Sequence, residues 1–371
     1  MHLYTADYAN RMVQLGHEVH VATTANAPRD CYAPEVTVHT CVCSTNTGLS
    51  LEALQPRALQ QTARVVRSLD PHIAHFTGPH LWNAWLVPFL RGKGIPAIHT
   101  IHDLHPHMGA AGGRLLYLWN TWIRFTSKKL LVHGERYREE LLRQRVAPNR
   151  VTCTPLTHLF SVSERQAAHD HRVPSVSHES WALFFGRLEA YKGLDVLVEA
   201  AQEMSAASKQ PRQVVIAGPG RLGRFVSGAL PPNIEILDYL IGDEEAEGLF
   251  GRCGLVVLPY KEATQTALVA AAYFFQKPVI VTSVGALPEY VVDGETGWIV
   301  PPNDPQTLGG LLQSALGDPA GLRRMGRAGR KRYENWRQAE IVALQAMYAD
   351  LAGEAAHSPE GPADMAWASR P

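Results

Sequence analysis

The chain has 371 residues, 46% of them apolar and 19% charged, so one core is too small for it and about two domains are expected. Its 35 basic and 35 acidic side chains cancel, which removes any global field for nucleic acid or an anionic membrane and makes any basic site a local one. Five Cys without a CxxC pair argue for a reducing compartment and against a disulfide framework or structural zinc, and Cys41 and Cys43 read as sharing a strand face. The longest apolar run, near "TALVAAAYFF", is about half of what a membrane-spanning helix needs, and no secretory leader opens the chain, so a cytoplasmic protein is expected.

The first elements read as a helix, "YTADYANRMVQL", stopped by Gly16 and followed by the alternating strand "EVHVAT". Strands follow at "PHIAHFTG" (71–78), "PAIHTIHD" (96–103), "KKLLVHG" (128–134) and "RVTCTPL" (150–156), with helical patterns between them. Strands alternating with helices imply a parallel sheet, so residues 1–160 should form one doubly wound domain. Residues 161–179 are polar and aperiodic and read as a linker.

A second series occupies 180–335, with strands "ALFFGR", "QVVIAGPG", "IEILDYL", "GLVVLPY", "KPVIVTS" and "GWIVPP". Helical patterns then run through "PQTLGGLLQSAL" and "PAGLRRMGRAGRKRYENW" to a C-terminal helix at 336–352, and 353–371 read as a disordered tail. Two such domains facing each other place ligands at the carboxyl ends of their strands, in the cleft between them.

"FGRLEAYK" puts Arg187 and Lys192 on a turn that leaves a strand and enters a helix. Free backbone N–H groups and the helix dipole there suit an anion such as a diphosphate; the alternative is two solvated surface cations. "HTIHDLHPH" places His99, His102, His105 and His107 close together after a strand, which raises a metal site. No Cys or carboxylate cluster has matching spacing, so no metal is expected.

"GRLEAYKG", "VVIAGPG", "ILDYL" and "LPYKEATQTALVAAAYFFQKPVIVTSVGALPEYVVDGETGWIVPPNDP" stand in an order and spacing that resemble glycosyltransferase family 4, the group 1 nucleotide-sugar glycosyltransferases. "LGHEVHVAT", "HFTG", "HTIHD" and "KKLLVHG" extend the resemblance through the first half. It implies an α/β protein of GT-B fold, two Rossmann-like domains around a cleft, moving a hexose from a UDP- or GDP-sugar to a saccharide, glycolipid or other acceptor with retention. No cofactor is implied besides the donor: Arg187 and Lys192 match the cations that hold its diphosphate, work that a metal does in other glycosyltransferases. Gly186, Gly218 and Gly220 match the glycine turns near the nucleotide, Tyr239 and Leu240 the base-side backbone, and Gly285 and Glu289 a loop that closes the pocket. Tight turns also explain the glycines, and a helix cap explains Glu289.

On the first domain the resemblance matches His102 and Asp103 to the position after the third strand, where a His faces the reacting sugar; a buried structural His is the alternative. Thr77, Gly78 and His80 should line the acceptor side, with His105 and His107 shaping the acceptor pocket. "GRLLYLWNTWIRFTSKK", with Arg114, Arg124, Lys128 and Lys129, reads as a helix packed on the sheet or as a peripheral membrane contact toward lipid-linked acceptors.

The chain departs from the family in two ways. The spaced Glu pair of many members falls, aligned back from "QKPV", on Ala263 and Ala271. Glu262, one residue from the first of these positions, could reach the donor sugar if the loop is shifted, with Thr264, Gln265 and Thr266 as neutral hydrogen-bonding groups in an "ATQS"-like variant; the alternative is a polar loop pair with Lys261. Members also begin with a strand and a Gly-rich loop ahead of the helix that opens this sequence, so the resemblance implies a first domain without its first strand. Two further classes stay open: a GT-B pseudoenzyme that binds nucleotide, and a metal-dependent hydrolase built on the histidines.

Overall fold

The computed structural model describes residues 2–43, 51–104, 113–158, 177, 179–224, 226, 228–263 and 265–353, without the side chains of 113–117. His105, His107, Arg114, Thr264, most of the expected linker and the expected tail lie outside those descriptions.

The chain divides into two compact units, one of residues 1–106, 112–154 and 339–365, the other of 107–111, 155–338 and 366–371. In the second unit the strands are β7 (Trp181–Phe185), β8 (Gln213–Ala217), β9 (Ile234–Leu237), β10 (Leu255–Leu258), β11 (Val279–Thr282) and β12 (Gly297–Val300). They form one parallel sheet in the order β12-β11-β10-β7-β8-β9. All four residues of β10 and of β11 are buried, as expected of central parallel strands covered on both faces. The helices α6 (Leu194–Ala207), α7 (Asp243–Arg252) and α8 (Leu268–Phe274) are crossovers of this sheet, while α9 (Pro305–Ala315) follows its last strand and packs on α6. Because the chain runs from β7 outward to β9 and returns to β10 on the other side, the order reverses between β7 and β10. Ligands bind at such a switch point, beyond the carboxyl ends of the strands.

The first unit holds α1 (His2–Gln14), β1 (His20–Thr24), β2 (Thr37–Val42), α2 (Pro56–Leu69), β3 (Ala74–Phe76), α3 (Asn83–Gly92), β4 (Ala97–Thr100), α4 (Gly113–Thr126), β5 (Lys129–Val132), α5 (Glu135–Arg143) and β6 (Val151–Cys153). Its parallel strands form two sheets, β1-β2 and β3-β4-β5-β6. Side chains of α1 touch both: Ala9 packs with Val21 of β1 and Val36, while the Tyr4 hydroxyl reaches Thr100 of β4 and His133 after β5. The β2 strand was not among the expected ones, and it corrects the cysteine reading: Cys41 is buried within it, while Cys43 follows its end and is exposed. No disulfide joins any of the five cysteines.

The C-terminal helices expected separately are one helix, α10 (Pro319–Ala352), of 34 residues. "GRAGR" does not break it. Gly326 leaves room for the Gln276 carbonyl, which a Cβ would meet at 1.8 Å, and Gly329 does the same for the Tyr273 ring. Up to Gln338 the helix belongs to the second unit, where Arg330 bonds the Phe274 carbonyl and Trp336 packs against Tyr273 and Tyr290. From Ala339 it belongs to the first, where Glu340 pairs with Arg11, itself paired with Asp7, Tyr348 bonds His75 at 2.7 Å, and Asp350 meets Lys129 at 2.5 Å.

Candidate active site

Strand β7 ends at Phe185, and Gly186 turns the chain at φ +116° into a loop that closes on a short helical turn, Ala190–Lys192, ahead of α6. Arg187 projects outward, 72% exposed, and pairs loosely with Glu189 at 3.7 Å. Lys192 is 8% exposed, its Nζ 5.8 Å from the Phe184 ring and 5.7 Å from the Tyr260 ring. Its pKa is lowered to about 8, chiefly by burial and also by the Arg187 charge, with Glu189 opposing. The turn therefore presents one solvated guanidinium and one desolvated ammonium, the latter with no carboxylate within ion-pairing distance among the described residues.

The neighbouring turn after β8 comes very close. A Cβ on Gly218 would stand 2.3 Å from the Gly186 carbonyl oxygen, at φ +140°, and one on Gly220 would strike Leu188. Only glycine fits there, so these residues are more than a loose loop. Between the ends of β7, β8 and β9 lies a pocket of about 220 Å³ lined by Gly186, Arg187, Gly218, Pro219, Leu240 and Asp243, among others. Leu240 is thus brought to the glycines and Arg187, whereas the Tyr239 hydroxyl bonds Glu245 at 2.6 Å. Pro219 and Asp243 escaped sequence reasoning; adjacency to "GPG" is a signal for the first, and nothing in the pattern distinguishes the second from an ordinary helix-start carboxylate.

Beyond β10 the loop is tied to the same turn, for the backbone N–H groups of Lys261 and Glu262 donate to the Tyr191 carbonyl at 2.8 and 3.3 Å. Lys261 pairs with Asp195 at 2.5 Å, and the Thr266 hydroxyl accepts the Leu268 N–H near the start of α8, a local capping role. Glu262 and Gln265 are half-buried on this loop, and Ala271 is buried in α8. Gly285, at φ +55°, and Glu289 follow β11; Glu289 lies inside the short helical turn Leu287–Tyr290, and its carbonyl accepts from Arg332.

In the first unit the expected residues gather after β3 and β4. His102 Nε2 stands 2.9 Å from the Thr77 carbonyl, which can only accept, so this nitrogen carries the proton. Burial lowers the His102 pKa, with the Thr77 bond opposing. The Tyr4 ring meets it edge-on at 4.6 Å, and Thr77 is held by Thr5 at 2.7 Å. The Gly78 carbonyl accepts from Asn83 and the Asp103 carbonyl from Asn120. His80 packs on Trp82, its pKa lowered to about 4 by burial, and its buried Nε2 has no hydrogen-bond partner among the described residues. His99 takes no part: fully buried, it stacks on Phe76 and bonds Ser127 and Asn83. Among the described residues no group of His, Cys, Asp and Glu could hold a metal.

A parallel sheet with a cationic, glycine-lined turn at the end of β7 makes this an α/β protein with a Rossmann-like second unit. Residues 179–318 match the family model described as glycosyl transferases group 1, and residues 1–157 match the glycosyl transferase 4-like domain. The chain belongs to the group 1, family 4 glycosyltransferases of GT-B fold, and is a glycosyltransferase. It is 26% identical to a D-inositol 3-phosphate glycosyltransferase of Gordonia bronchialis, covering 99% of this chain and 87% of that one. Its fold is similar to that of sucrose-phosphate synthase from Thermosynechococcus elongatus, with a TM-score of 0.70, 21% identity and coverage of 95% and 93%. Anabaena HepE in complex with UDP-glucose superimposes with a TM-score of 0.64 at 13% identity, covering 95% of each chain. No described helix is long and apolar enough to cross a membrane.

Proposed function

We propose that this glycosyltransferase moves a hexose from a UDP- or GDP-sugar to a hydroxyl of a saccharide, glycolipid or other acceptor, with retention at the anomeric carbon. The observation that carries the reading is the pair at the end of β7, a buried Lys192 ammonium beside an exposed Arg187 guanidinium. As the glycosidic bond breaks, the leaving diphosphate gains negative charge, and cations already in place stabilise it more in the transition state than before. Arg187 takes two phosphate oxygens, Lys192 acts as a point charge, and the departing phosphate accepts the acceptor's proton on the face it leaves. Glu262 and Gln265 offer hydrogen bonds to the sugar. His102, neutral and protonated on Nε2, orients the acceptor side with Thr77 and His80.

The UDP-glucose of the HepE complex makes UDP-sugars the first donors to try, and the name of the Gordonia relative makes phosphorylated polyols the first acceptors. A donor screen by calorimetry, followed by proton NMR of the product's anomeric coupling, tests the reading. Arg187→Ala and Lys192→Ala should each lower turnover by about a hundredfold or more with the fold intact; unchanged turnover in both variants, or an inverted product, refutes it.

Ala263 and Ala271, where many members have Glu, favour a second reading, a GT-B protein that binds nucleotide without turnover. Tight nucleotide binding with no transfer to any acceptor in the screen would decide for it. A peripheral membrane contact rests on α4, where Leu118 and Phe125 are 64% and 77% exposed beside Arg124 and Lys128. Cosedimentation with anionic vesicles that Leu118→Ser with Phe125→Ser leaves unchanged would remove it.

A further inference from the structure

Helices α2 and α3 carry Arg57, Arg64, Arg67 and Arg91 and no acidic residue; of the residues that directly follow them, Asp70 is acidic and Lys93 basic. In a chain whose charges cancel, this is a local excess of positive charge. Among the described residues none of these five cations has an ion-pair partner.

Between the two helices lies a groove of about 460 Å³ lined by Leu59, Gln60, Ala63, Arg64, Arg67 and Trp85, with Pro56 at its end. One wall is preset. The Arg67 guanidinium stands 5.5 Å over the Phe89 ring, and Phe89 stacks nearly parallel on Trp85, at 5.2 Å and 13°. Such an arrangement loses little side-chain freedom on binding.

We propose that this groove is a second saccharide site, one that takes an acidic glycan carrying carboxylate or phosphate groups. The planar forks of Arg64 and Arg67 suit such groups, which can accept two parallel hydrogen bonds. The half-buried indole of Trp85, stacked on Phe89, gives the groove an apolar wall for the C–H groups of a pyranose, and the Gln60 amide both donates to and accepts from hydroxyls. The volume lies within the range of small-ligand sites. A bilayer surface fits less well, because it needs protruding apolar side chains, whereas Ala63 is buried and Leu59 and Trp85 are half-buried. The exposed Leu51 and Leu54 precede α2 and do not line the groove. The proposal rests on the glycosyltransferase activity alone and is independent of the donor assignment. Its role is to retain an acidic polymeric acceptor or product between turnovers.

The full chain is titrated by calorimetry and nitrogen-proton NMR with tetragalacturonate, maltotetraose, sodium sulfate, and vesicles of phosphatidylglycerol and phosphatidylcholine. The Trp85 indole resonance is assigned with Trp85→Phe. The expected result is binding of tetragalacturonate that shifts this resonance and weakens with salt. Arg64→Gln with Arg67→Gln should weaken it about tenfold, leave UDP binding unchanged, and raise KM only for acidic polymeric acceptors. Any of four results overturns the proposal: no binding of tetragalacturonate, equal binding of maltotetraose, an equal Trp85 shift with sulfate alone, or vesicle binding that the double variant abolishes while tetragalacturonate stays inert. UDP binding lost in the wild-type chain would count against the donor reading and leave this site standing.

Discussion

If Lys192 clamps the donor diphosphate, nucleotide affinity must follow its protonation. A lysine in water titrates at 10.5, and burial against Phe184 and Tyr260 brings this one to about 8. Only the ammonium attracts the diphosphate, so affinity holds below pH 8 and is lost as pH rises through that value, with a limiting slope of about tenfold per unit well above it. Between pH 7 and pH 9 the protonated fraction falls from about nine-tenths to about one-tenth, which corresponds to a loss of about 1.4 kcal/mol in UDP binding. The bound diphosphate draws the proton back, so at pH 8 the complex takes up about half a proton per nucleotide. Calorimetry in buffers of different ionisation enthalpy measures that uptake directly, and a pH series gives the slope. Lys192→Arg, charged throughout the range, should flatten the profile, whereas Lys192→Met should reproduce the high-pH affinity at every pH. Flat affinity from pH 7 to 9 with no proton uptake in the wild-type chain would refute the placement of the diphosphate on this ammonium.

Three further outcomes test the structure around the sites. Gly218→Ala puts a Cβ 2.3 Å from the Gly186 carbonyl oxygen and should cost about 2 kcal/mol in urea unfolding while weakening UDP binding; wild-type values for both would show that the two turns do not pack as described. Burial lowers the His75 pKa from 6.5 to about 3, so the unfolded chain binds the extra proton first and stability falls below pH 6.5. At pH 5 that is about 2 kcal/mol, and His75→Gln should flatten the acid limb of a pH series of melting curves. Glu340→Gln removes one partner of the buried Arg11 and should cost about 3 kcal/mol in urea unfolding, as breaking a buried ion pair does; a change below about 0.5 kcal/mol would place that pair in the class of solvated surface bridges.

What the sequence revealed and what it hid follow from how far apart the interacting residues lie. The strand, turn and helix that carry Arg187 and Lys192 were legible because they are consecutive, so a local pattern carries their geometry. The burial of Lys192 was not, since Tyr260 arrives from β10 and only the sheet order puts it beside β7. Histidine density is a poor guide to geometry for a related reason. Side chains alternate along β4, so His99 turns to Phe76 and Ser127 while Thr100 turns to Tyr4 and His75. Neighbours in sequence are therefore separated in space. The C-terminal helix is the clearest case. Gly326 and Gly329 look like breakers to a propensity argument, yet their missing side chains are what admits the Gln276 carbonyl and the Tyr273 ring. Past Gln338 the same helix depends on Glu340, Tyr348 and Asp350, polar residues whose partners Arg11, His75 and Lys129 lie hundreds of positions away. Leu344 and Met347, buried on the same stretch at helical spacing, mark a packed helix, but no local pattern names its distant polar partners.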